Sequence, residues 1–135
     1  MKPLKMQFQE LSTALQSLHR DLLMMEAKLL EGETGRKLTP YELLHASLND
    51  PNLAWLRQIS SLIVTIDTTI DEATNLGATE AVQIANAVLT LFEKPPALID
   101  TDFWTKYAKY LNSNPDVIMK HAQVKSLVGN LRPKM

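Results

Sequence analysis

Leu4, Phe8, Leu11, Leu15, Leu18, Leu22, Met25 and Leu29 recur at alternating intervals of four and three residues. That spacing puts them on one stripe of a helix, as in a coiled-coil seam. It predicts a first helix from Leu4 to about Glu31, roughly 40 Å long at 1.5 Å per residue. Leu23 and Leu30 widen the stripe enough to meet two neighbours. Gly32 and Gly35 are predicted to end the helix.

Thr39-Pro40-Tyr41-Glu42 has the form of a helix start. Thr39 caps, Pro40 takes the first helical position, and Glu42 completes a capping box. A short helix to about Leu48 follows, and Asp50-Pro51 restarts the chain with a second cap and first-turn proline. Ser61 to Ile66 is rich in β-branched residues, as a buried strand would be. Placed at 100° intervals, however, Trp55, Leu56, Ile59, Leu62, Ile63, Ile66, Ile70 and Ala73 fall within about 120° of arc. Gln58, Ser61, Thr65, Thr68, Glu72 and Asn75 fall opposite. A strand gives no reason for that sorting, so one helix from Pro51 to Asn75 is predicted. Asn75-Leu76-Gly77 closes it.

Thr79 is the predicted cap of a helix running to Phe92 before Pro95-Pro96. Apolar residues lie nearly all round it, which predicts burial between neighbours. Asp100 or Thr101 begins a helix through Trp104, Tyr107 and Leu111. Asn114-Pro115 begins the last, with Gly129 as its end and residues 131–135 as a frayed tail. The fold class that follows is all-α: a helical bundle of three to four long helices plus short helices, in a single domain over 1–135.

Composition narrows function mainly by exclusion. Without cysteine there are no disulfides, thiolate metal sites or cysteine nucleophiles. Four glycines leave little for a phosphate-cradling loop. The net charge of -1 provides no bulk field for nucleic acid or anionic membrane. It is a cancellation, since residues 33–100 carry a balance of −5 and residues 101–135 one of +4. An acidic middle packed near a basic end explains this, and a weak basic patch of Lys106, Lys109, Lys120, Lys125, Arg132 and Lys134 is the alternative. No apolar run has the length of a membrane span and no secretory signal is evident, so a cytoplasmic protein is expected.

Histidines and carboxylates on bundle helices are the remaining chemistry. Glu42-Leu43-Leu44-His45 is one Glu-x-x-His, where a di-iron bundle needs two. His19 and Glu26 flank the seam of the first helix, and Asp67 and Asp71 edge the apolar face of the third. A metal site built from His19, Glu26, His45, Asp67 and Asp71 is therefore one candidate, against the simpler reading of satisfied edge residues. Trp55, Arg57 and Tyr110 are candidate binding residues, because aromatic side chains anchor interfaces and Arg57 can meet an acid or an anion. No nucleophile elbow, phosphate loop or dinucleotide fingerprint occurs, so no enzyme and no cofactor are expected.

One further signal is a likeness. His19-x-x-Leu22-Leu23-x-x-Glu26, Leu38-x-Pro40-x-x-Leu43-Leu44, Asp50-Pro51-x-x-Ala54-Trp55-Leu56-Arg57 and Leu62-Ile63-Val64-x-Ile66-Asp67 together resemble a family of small, uncharacterised bacterial all-helical proteins. The resemblance covers about the first half of the chain. It implies a bacterial, cytoplasmic protein and brings no activity or catalytic residues. The leading expectation is a non-enzymatic interaction module, partnering a second copy of itself or another protein. A metal- or small-ligand-binding bundle is the alternative, and nucleic-acid binding through Lys120 and Lys125 a weaker one.

Overall fold

In the computed structural model, which describes residues 3–72, 76–93 and 102–131, the seam is the inner wall of the longest helix, α1 (Leu4–Thr34). Phe8, Leu11, Leu15, Leu18 and Leu22 are fully buried. Gly32 does not interrupt the helix. Gly35 ends it in the left-handed region at φ 76°, donating to the Glu31 carbonyl at 2.8 Å.

Six α-helices and one 3-10 helix are present among the described residues, with no strand. After α1 come α2 (Pro40–Asn49), the 3-10 helix (Pro51–Leu56), α3 (Arg57–Glu72), α4 (Ala78–Phe92), α5 (Asp102–Ser113) and α6 (Pro115–Leu131). α1 packs on α3 and α6, and α4 closes the square by packing on the same two helices. Polar pins set the directions. Ser12 Oγ donates to Asp67 Oδ1 at 2.7 Å, and His19 Nε2 lies 3.0 Å from Ser60 Oγ, so α3 runs antiparallel to α1. Lys120 pairs with Asp21, and Asn114 Nδ2 donates to Met25 Sδ at 3.2 Å, so α6 does too. The four long helices are α1, α3, α4 and α6, alternating up and down.

The bundle layer ends before α1 does. Asn114, just ahead of α6, reaches Met25, so residues 26–34 extend past the first turn of α6. The 3-10 helix and α5 cover that end with an aromatic cluster. Trp55 stacks on Tyr110 (centroids 6.2 Å apart, planes at 10°) and meets Phe103 at 5.7 Å. Phe92 of α4 packs edge-on against Phe103 and Tyr107. These offset and edge-to-face arrangements suit ring quadrupoles.

Several predicted boundaries shift, each for a local reason. The helix predicted from Pro51 to Asn75 is split, and Ala73 and Asn75 lie outside the described residues. Asp50 accepts from the Asn52 N–H at 2.8 Å and Pro51 has no N–H, so the chain starts tightly wound. Three residues per turn line up Leu53 and Leu56, both buried. The α4 cap is Gly77 rather than Thr79, with Glu80 Oε2 accepting from the Gly77 N–H at 3.2 Å. α4 is not enclosed: Ala81, Ile84, Ala85, Val88 and Phe92 are buried, whereas Val82 is exposed, because its neighbours lie on one side. Gly129 does not end α6. Its Cα faces open space, and burial of Val128 and Leu131 around it outweighs a glycine penalty of about 1 kcal/mol. Leu131 therefore belongs to the core, not to a tail; residues 132–135 lie outside the described residues, as do the predicted caps Asp100 and Thr101.

Two positions of the seam separate packing from spacing. Leu15 is fully buried, while Leu29 is 59% exposed on the same stripe. Leu15→Ala is expected to cost about 2–5 kcal/mol and Leu29→Ala less than about 0.5 kcal/mol. Urea unfolding of the two variants checks this.

Candidate interaction surface

α2 is built by its ends. Thr39 Oγ1 accepts from the Glu42 N–H at 3.1 Å, and Glu42 Oε1 accepts from the Thr39 N–H at 3.2 Å. Arg36 Nη2 reaches the same carboxylate at 2.5 Å. Those bonds, the Thr39 N–H first, hold the Glu42 carboxyl below the usual range. At the other end, Arg57 Nε donates to the Ser47 carbonyl and its Nη2 to the Asp50 carbonyl, both at 3.2 Å. A positive group on the last carbonyls of a helix is favourable. Ten residues are too few for a stable isolated helix, so these caps and the contact with the 3-10 helix hold α2.

Among the described residues nothing covers its outer face. α2 has no buried residue, and Tyr41, Leu44 and Leu48 are 70%, 57% and 61% exposed. Steps of three and four place them on one stripe. His45 joins it, with Nε2 2.9 Å from the Tyr41 hydroxyl and the two rings tilted at 4.8 Å. Single exposed leucines are ordinary, but three large apolar side chains in register on one short helix form a patch.

The five metal candidates are not brought together. His19 is bonded to Ser60, His45 to Tyr41 and Asp67 to Ser12, and Glu26 faces the Tyr110 hydroxyl. Asp71 is exposed near the far end of α3. Among the described residues no three histidine or carboxylate side chains gather as an ion would require. The reason is register: each side chain flanks a different helix contact, and α2 lies outside the four-helix layer.

The candidate binding residues divide. Trp55 is buried, and its Nε1 finds no acceptor among the described residues. Arg57 meets neither an acid nor an anion but the two carbonyls of the α2 end. Tyr110 alone borders open space, a cleft of about 220 Å³ between the end of α1 and α5. Burial first, and then Glu26, pushes its hydroxyl pKa up to about 12. Glu33 joins Glu26 on the α1 wall, and Lys106 and Lys109 project from α5 opposite. The basic patch does not form as a unit. Lys120 pairs with Asp21 and Lys125 with Glu93 at 3.5 Å, and Arg132 and Lys134 lie outside the described residues.

No family model, curated protein or solved structure matches this chain. The resemblance in residues 19–67 therefore rests on those residues alone. No helix among the described residues is long and apolar enough to cross a membrane.

Two of the interhelical polar pairs show how far the sequence signals them. Ser12 is a small polar residue among buried seam positions, and that placement was the available signal for its bond to Asp67. Tyr107 and His121 gave no such signal: they lie on different helices, with the phenol oxygen 2.8 Å from Nδ1. Burial lowers the pKa of His19 and, with help from Lys125, that of His121. Burial raises that of the Tyr107 phenol.

Two measurements follow from these environments. Trp55→Phe removes an N–H that lacks an acceptor, so it is expected to cost less than half of the roughly 3–5 kcal/mol of Trp55→Ala in urea unfolding. The histidines set a pH trend. With folded values below 6.5, the unfolded chain binds more protons just below that pH. Their contribution is thus complete above pH 6.5 and is lost as pH falls through the folded values. The urea midpoint is expected to be higher at pH 7.5 than at pH 5, with a smaller difference in His19→Asn and His121→Gln.

Proposed function

We propose that the chain is a non-enzymatic, cytoplasmic interaction module that self-associates through the outer face of α2. The observation that carries this reading is the uncovered stripe of Tyr41, Leu44 and Leu48 on a helix with no buried residue. A second copy is the simplest cover. Two α2 helices crossing antiparallel about a twofold axis put Leu44 near the axis and Tyr41 of one copy against Leu48 of the other. Like packs with like, so one stripe satisfies both sides.

Size decides the strength. A ten-residue helix is about 15 Å long, too short for the ~800 Å² per partner of a standard interface. Each stripe side chain contributes at most about 1.5–3 kcal/mol on full burial, and association entropy offsets much of the sum. The dimer is accordingly reversible, with a Kd of micromolar order or weaker.

Sedimentation velocity from about 10 to 300 µM is expected to show a concentration-dependent monomer–dimer equilibrium across that Kd range. Leu44→Glu with Leu48→Glu shifts it to monomer, leaving helicity unchanged because no core side chain is touched. A wild-type chain that stays monomeric throughout overturns the reading.

A further inference from the structure

The cleft beside Tyr110 is lined by opposed charges, of which only Glu26 meets a neighbour there, the Tyr110 hydroxyl. Lys106 and Lys109 stand one turn apart on α5, and among the described residues neither side chain is engaged in an ion pair or hydrogen bond. Across the cleft stand Glu26 and Glu33, two turns apart on α1, and the Glu33 side chain is likewise unengaged among the described residues. Leu29, Leu30 and the Tyr110 ring supply apolar lining between the two walls. Elsewhere in the fold, charges in reach do close: Lys120 on Asp21, Arg36 on Glu42, Lys125 on Glu93. Here the opposed charges form no ion pair among the described residues, although both walls are firmly placed. α1 is fixed by its seam and α5 by the Trp55, Phe103 and Tyr107 rings.

We propose that this cleft binds a free amino acid with an apolar side chain. The class follows from the lining. A ligand of one charge sign meets repulsion from one wall, and an uncharged apolar ligand offers no partner to the ionic groups of either wall. A small zwitterion satisfies both walls: its carboxylate lies on Lys106 and Lys109, its ammonium between Glu26 and Glu33. Its side chain lies over Leu29 and Leu30. Charge-assisted bonds at both ends fix its orientation. A volume of about 220 Å³ is below the range for drug-sized ligands and suits a molecule of this size. Open walls and few ligand atoms hold the affinity to millimolar order. The cleft shares no residue with the α2 stripe, so this inference is independent of self-association.

The test is NMR titration of the full chain with L-leucine, alongside N-acetyl-leucine and leucinamide, which each lack one charge. Saturable amide shifts confined to residues 26–33 and 106–110 are expected, with each analogue at least about tenfold weaker. Lys106→Met with Lys109→Met, or Glu33→Gln alone, is expected to weaken leucine binding by roughly tenfold at unchanged helicity, since Lys109 and Glu33 are exposed and Lys106 is only half-buried. No saturable shift up to about 50 mM overturns the proposal. So does equal binding of the three ligands, or leucine shifts that persist in the variants.

Discussion

Phe8, Leu11, Leu15, Leu18 and Leu22 lose all contact with water along one face of α1. At roughly 1.5–3 kcal/mol each, their burial equals the net stability of a typical domain before chain entropy is set against it. A stripe that wide needs cover on two sides, and α3 and α6 supply it. α4 then covers the inner faces of those two. The square of four helices is thus a consequence of one helix whose apolar stripe no single partner can enclose.

The polar pins do a different job. Apolar surfaces tolerate sliding, but a bond such as Ser12 to Asp67 is satisfied in one register only. His19 with Ser60 and Asp21 with Lys120 add marks along the same helix. Together they fix where the bundle stops relative to α1. Because it stops near Met25, the last nine residues of that helix need other cover. The 3-10 helix and α5 provide part of it through the rings of Trp55, Phe103 and Tyr107. Both surfaces proposed to have a function lie at this end, where packing is incomplete.

Much of the architecture was legible because it is local. The α1 seam, the Thr39–Glu42 capping box and the proline starts at 40, 51 and 115 depend on residues within one or two turns of each other. The misread boundaries arose where distant packing overrode a local signal. Gly129 continues a helix because Val128 and Leu131 are buried around it. Arg57 is suited by charge to an acid or an anion, yet its fork is taken by the Ser47 and Asp50 carbonyls at the end of the preceding helix. Tyr110, Glu26, Lys106 and Lys109 each stand out in the sequence, but as parts of three different candidate sites, since Glu26 and Lys109 have no proximity along the chain; Glu33 carries no signal of its own.

By itself, then, the sequence determined the all-α class, the helix faces and the absence of thiol chemistry, since periodicity and residue type act over a few residues. Tertiary structure alone decided which faces are covered. The stripe of α2 stays open although its pattern matches buried stripes elsewhere, because no element among the described residues returns to that side. The histidines and acids that shared a plausible ligand inventory were parted by helix register. The opposed charges of α1 and α5 were brought to one cleft by the same register, across some eighty residues of chain. Period sets which way a side chain faces, and only the packed neighbours set what it meets there.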